Sequence, residues 1–195
     1  MSPSVIEPDA AEPRDAGDFG SWFAAITHAL DGDGVSDVPC GECTACCRAS
    51  QFVEVGPEET AALAAIPRSL LFSAPGAPAG TLVMGYDQHG RCPMFHDNGC
   101  SIYADRPRAC RVYDCRVFAA SEVYPREPEK SAVTATARRW VFTYRADADR
   151  RRHEAVRDQA QGLRAQVERS ARSATPPHAI EVAIRAISEI AVAGS

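Results

Sequence analysis

The chain has 195 residues, a formal charge of −5 and eight cysteines, all of them between Cys40 and Cys115. No run approaches the ~18 consecutive apolar residues of a membrane span, and the acidic, Pro-rich start lacks the basic and apolar regions of a secretory signal, so a cytoplasmic location is expected. Thiols stay reduced there and the length suffices for an ordinary core, so a framework of four disulfides is a poor explanation of the cysteines.

Charge is uneven. Residues 1–39 hold eight acids and one arginine, whereas residues 138–172 hold ten arginines and five acids. The interspersed acids and the lack of interleaved aromatics make the basic stretch a solvated helix face, so no nucleic-acid partner and no membrane surface is expected. A protein partner stays open.

Met1 to about Asp18 is rich in Pro, Ala and acids and is expected to be disordered. Ser21 to Leu30 places Trp22, Ala25, Ile26 and Leu30 on one helical face. Gln51 to Val55 predicts a strand. Pro57 with Glu58 and Glu59 predicts a helix start, running to about Ile66. Thr81 to Tyr86 is strand-like, and Arg91 to Asp105 irregular. A helix capped by Asp105 is expected from near Pro107 to about Phe118, carrying Cys110 and Cys115. Glu127 to Tyr144 is ambiguous, with Val133, Val141 and Phe142 favouring strand and the alanines favouring helix. Val156, Ala160, Leu163 and Val167 predict an amphipathic helix over 146–171. Beyond Pro176 and Pro177, Ile180, Ala183, Ile184, Ile187 and Ile190 predict a second helix that stops at Gly194.

The expected fold is α+β, mainly helical and irregular. It comprises a disordered acidic tail (1–18), a small metal-organised cysteine-cluster domain (19–125) and a helical region packed on it (126–195), ending in a helical hairpin.

The cysteines fall into two blocks, Cys40-x2-Cys43-x2-Cys46-Cys47 and Cys92-x7-Cys100-x9-Cys110-x4-Cys115. Clustered thiolates select zinc, Cu(I) or iron–sulfur clusters. A C-x2-C turn brings two sulfurs to one metal, as in zinc ribbons, and the doubled step is what bacterial ferredoxins use. Cys92-Pro93 adds a Cys-Pro pair of that ferredoxin type. Adjacent side chains diverge, so Cys46 and Cys47 are expected to serve different sites, unless one is a buried free thiol. In one continuous helix Cys110 and Cys115 lie about 140° apart and face different ways unless the helix ends between them. Eight sulfurs fit two four-thiolate sites, or one cluster with spare thiols. Arg91, Arg106, Arg108, Arg111 and Arg116 surround the second block, where cations offset thiolate charge, although Arg108 and Arg116 read equally well as surface residues.

Taken together, the first cysteine block, Gly90 to Phe95 (GRCPMF), Cys100-Ser-Ile-Tyr103, Arg106-Pro107 and Cys110-Arg111-Val-Tyr113-Asp-Cys115 resemble the CxxCxxCC cysteine-cluster family, whose domain is a zinc or iron chelator. The resemblance spans about residues 36–118. It implies metal binding by Cys40, Cys43, Cys46, Cys47, Cys92, Cys100 and Cys110, with Cys115 less firmly carried over because some members lack it. Many members have proline where this chain has Asp114. Tyr103, Arg106 and Arg111 match motif positions and are expected beside the cofactor: a ring packed at the site, and donors to carbonyls or thiolates. Pro107 is expected to start a helix.

The leading expectation is an iron–sulfur protein, [4Fe–4S] favoured, in a redox or accessory role. The alternatives are a structural zinc module that binds protein, and a methyltransferase-like enzyme, since a similar domain occurs in the flagellin lysine N-methylase. No Gly-rich cradle supports an adenosyl cofactor. His89, His96, Asp97 and Asp105 are candidate acid–base groups, and His96 a candidate ligand. His28, His153 and His178 are expected on helix surfaces or half-buried.

Overall fold

The computed structural model describes residues 12–32, 34–36, 38–74, 76–170 and 178–194. About half of it is helical, with seven α-helices and three small sheets among the described residues. The α+β, mainly helical expectation holds at that level.

Strand β1 (Arg14–Asp18) leads straight into α1 (Phe19–Leu30). The disordered tail expected over 1–18 therefore ends too late, because its last five residues pair in a sheet; residues 1–11 lie outside the described residues. Asp18 starts the helix, its carboxylate accepting the Ser21 amide at 2.9 Å. The helix buries Phe19, Trp22, Phe23, Ile26 and Ala29. After the first cysteine block come β2 (Val53–Val55), α2 (Thr60–Ala65), β3 (Leu71–Ser73) and β4 (Leu82–Met84). The strands form an antiparallel sheet in the order β2-β4-β3. Helix α2 starts later than Pro57 suggests; the Glu59 carboxylate accepts the Gly56 amide at 2.8 Å within the preceding turn and, from across the fold, the Arg108 amide.

A short hairpin follows, β5 (Phe95–His96) with β6 (Gly99–Cys100). Its two turn residues, Asp97 and Asn98, have φ of 45° and 62°, as a two-residue I′ turn requires. The single helix expected from Pro107 to Phe118 is two, α3 (Arg108–Arg111) and α4 (Arg116–Ser121). Pro107 does begin the first, but Asp105 does not cap it. The chain breaks at Asp114, which is 1% exposed. Its carboxylate accepts Trp22 Nε1 (2.9 Å) and Ser36 Oγ (2.6 Å), and pairs with the Arg116 guanidinium at 2.8 Å.

The ambiguous stretch contains both alternatives, α5 (Ser131–Ala137) and then β7 (Trp140–Thr143). Strand β7 lies parallel to β1, with Arg14 opposite Trp140 and an irregularity at Gly17, whose φ is +86°. The chain ends in α6 (Asp147–Ser170) and α7 (Ala179–Ala193), packed together as the expected hairpin. The predicted end at Ala171 and the Pro176-Pro177 separator lie outside the described residues.

Two principal cores result. The larger draws together Phe19, Trp22, Phe118, Phe142, Val156 and Ile187, and so joins α1, α4, β7, α6 and α7. The smaller holds Val55, Ala62, Ile66, Leu71, Met84 and Met94 under the three-stranded sheet, with Cys92 and Cys100 packed on it. The larger core spans the boundary expected at 125/126, and the smaller lies wholly on its N-terminal side. No described helix is long and apolar enough to cross a membrane.

Candidate metal centre

Local backbone bonds create the cluster. The Cys43 amide donates to the Cys40 carbonyl at 3.0 Å, closing the first C-x2-C turn. The Cys47 amide donates to the Thr44 carbonyl at 3.1 Å and winds Cys46–Arg48 into a 3-10 turn. The second block is fastened to the first where the Cys92 amide meets the Cys47 carbonyl at 2.8 Å and the Ser50 amide meets the Gly90 carbonyl at 2.9 Å. Gly90 has φ +73°, and a Cβ there would collide with Ser50 Oγ, so the approach needs glycine.

The eight cysteines are all free of disulfides and gather in two sets. Cys40, Cys43, Cys46 and Cys115 line a chamber of about 40 Å³ walled by Tyr113, Val133 and Thr136. Cys47 groups with Cys92, Cys100 and Cys110, each of which opposes ionisation of its thiol, and Cys46 stands near enough to Cys92 and Cys110 to oppose ionisation of theirs. The break between α3 and α4 makes this division possible, since it turns Cys110 and Cys115 toward different sets. Cys46 and Cys47 diverge less than expected, because their two sulfurs remain in hydrogen-bond contact.

That contact pushes the Cys46 thiol up and the Cys47 thiol down. Burial pushes Cys40 up, followed by the nearby Cys46 and Cys43. Burial likewise raises Cys92, and lifts Cys110 and Cys115 to about 12 each. Crowded, partly desolvated thiols repel one another once ionised, and a bound cation is what relieves that repulsion. Three side chains lean the other way: Arg14 favours the Cys40 thiolate, Arg106 that of Cys110 and Trp140 that of Cys115. Trp140 Nε1 donates to Cys115 Sγ at 3.1 Å, and Thr136 Oγ1 lies 3.7 Å from Cys43 Sγ.

Among the described residues, no group of three or more His, Cys, Asp or Glu side chains is yet gathered so as to hold an ion. The thiols are neighbours without converging on a point. The donor chemistry nevertheless suits soft metal: two sets of four sulfurs, with N–H and guanidinium groups turned toward them.

The other expected site residues fare unequally. Arg106 sits by the second set, its guanidinium 4.0 Å from the centroid of the Tyr103 ring. Tyr103 itself is 66% exposed, its ring stacked on Arg106. Arg111 pairs with Glu59 at 3.7 Å. The surface alternative fails for Arg116, which is buried on Asp114, and for Arg108, which donates to the Gly34 (3.1 Å) and Ala29 (2.6 Å) carbonyls. His96 is exposed and lines an open cleft of about 590 Å³ over Cys92, together with Arg48, Asp87 and Arg91. His153 departs from expectation: it is 2% exposed, stacked 4.3 Å from Phe19 and bonded to the Tyr144 hydroxyl at 2.8 Å.

Spacing of ligand-type residues gave no hint of Arg14, Thr136 or Trp140, because β1, α5 and β7 meet the thiols only in the folded chain. Asp114 carried one signal, as a departure from the pattern of the resembling family. A family model described as "Putative zinc- or iron-chelating domain" matches residues 39–136. No curated protein matches the chain, and no solved structure does.

Proposed function

The chain belongs to the CxxCxxCC family, and on that premise we propose that it holds two four-thiolate metal centres of iron–sulfur character. Cys40, Cys43, Cys46 and Cys115 would hold the first, and Cys47, Cys92, Cys100 and Cys110 the second. What supports this is that Cys40, Cys43, Cys46 and Cys115 line one chamber while Cys47 neighbours Cys92, Cys100 and Cys110, with Cys46 and Cys47 in contact between the two groups. Binding draws each set onto its metal and removes the mutual repulsion of the thiolates. When bound, such clusters supply a one-electron couple whose potential is set by hydrogen bonds to sulfur and by exposure. This chain's own residues supply those levers: Trp140 and Thr136 at the first set, Arg106 at the second.

A single observation favours zinc instead. The chamber between the first four thiols, about 40 Å³, is scaled to one ion rather than to a polynuclear cluster. Protein purified without oxygen decides the matter by elemental analysis and absorption. Iron with matching sulfide and a brown colour is the expected result. A colourless chain with two zinc ions replaces it with the zinc reading, and a chain that takes up neither metal ends both.

A further inference from the structure

The first thiol set is completed by residues outside the segment that matches the family. Arg14, on β1, and Trp140, on β7, are far apart in sequence but stand opposite each other in the parallel pairing. The Arg14 guanidinium lies 4.4 Å from the centroid of the Trp140 ring. From there its NH2 donates to the Pro39 carbonyl at 2.9 Å and to the Cys40 carbonyl at 2.8 Å. The indole in turn donates its one N–H to Cys115 Sγ at 3.1 Å. One stacked pair thus reaches from the backbone of the first cysteine of the set to the sulfur of the last.

Both ends of this arrangement have a physical consequence. An indole N–H has no other role than donation, and Trp140 is 6% exposed, so its partner must be within the protein. A cation over the ring withdraws electron density and sharpens the N–H dipole that faces sulfur. A metal-bound thiolate carries more charge than a thiol and gains more from that dipole. Donors of this kind fix a ligand's orientation and its basicity.

We propose that Arg14 and Trp140 form a clamp that seats Cys115 as the fourth ligand of the first centre and tunes its sulfur. Both are positioning residues. The proposal rests on the two-centre reading given above. It adds that β1 and β7 belong to the site and that the family-matched segment alone makes an incomplete first centre.

Cobalt(II) is the probe, because thiolate-to-cobalt charge-transfer absorption counts sulfurs on the metal. The full chain, reduced and without oxygen, is titrated with cobalt(II) and then challenged with a chelator. Wild type takes up two equivalents. In Trp140→Phe, half of the cobalt shows weakened, shifted charge-transfer absorption and is about 10- to 100-fold easier to remove, while the other half is unchanged. Arg14→Gln, which leaves the buried ring in place, moves the same half in the same direction by less. Cys100→Ser alters the other half. The clamp is overturned if both Arg14→Gln and Trp140→Phe keep the wild-type spectrum and chelator resistance, or if they perturb the half that Cys100→Ser perturbs. Should wild type bind no cobalt at two sites, the failure lies with the two-centre reading.

Discussion

The helical part of this protein and its three-stranded sheet solve the same problem with very different means. The helical part buries Phe19, Trp22, Phe23, Ile26, Phe118, Trp140, Phe142 and Ile187 in one core. Each contributes roughly 1.5–3 kcal/mol on burial. The sheet has three strands of three residues and a six-residue helix over six buried residues. Cys92 and Cys100 pack against that small core. Strands so short do not sustain a unit by themselves, so the sheet depends on what fastens its cysteines. The thiol sets lie along the join, one attached to each core.

Metal removal should separate the two regions most sharply. A structural four-thiolate zinc site is worth about 10–16 kcal/mol of folding free energy, and the cluster reading demands a comparable dependence. Chelation is expected to abolish amide protection across residues 51–105 while α1, α6 and α7 keep theirs, as measured by hydrogen exchange. Uniform loss, or none, would break the comparison. The next effect belongs to the helical part. Asp114→Ala removes the carboxylate that the buried Arg116 guanidinium faces, together with the partner of Trp22 and Ser36. A loss of about 3–5 kcal/mol is expected in urea unfolding of the metal-loaded chain.

His153 gives the helical part an acid limit. Burial, and then the Arg157 charge, depress its pKa from 6.5 to about 4. A depressed value means that the unfolded chain binds the proton first, so the contribution is complete above pH 6.5 and is lost as the pH falls through about 4. The full difference is about 3 kcal/mol at 1.36 per unit. His153→Gln should flatten unfolding free energy against pH in that window, and an unchanged slope would remove the assignment. The smallest effect tests the join. Gly90→Ala forces a side chain into the left-handed region against Ser50, at about 1–2 kcal/mol. It should loosen the Cys92 set and speed cobalt release from it, leaving urea unfolding of the helical part unaltered.

The sequence disclosed these regions unequally, for physical reasons. Helices α1, α6 and α7 were legible because each buries a stripe at helical spacing, which is a local property. The seating of the cysteines in two sets was an open alternative that spacing had narrowed. Strand β1 was not legible: its composition is that of a solvated tail, and only β7, more than a hundred residues later, gives it a partner. The α3/α4 break was hidden for the same reason. Residues 107–118 have helical periodicity, and what interrupts them is the pull of Trp22, Ser36 and Arg116 on one carboxylate. For Tyr103 a motif position says that a ring is wanted and not that it stacks on Arg106.

The Cys46–Cys47 peptide has a consequence for how such a protein is put together. One bond, with Cα atoms about 3.8 Å apart, presents a sulfur to each set. In the two-centre reading, whichever metal arrives first fixes the backbone that displays the other set's sulfur and leaves its charge beside the incoming ion. The two sites are therefore coupled steps of one assembly path, and filling either one changes the affinity of the other by the same factor.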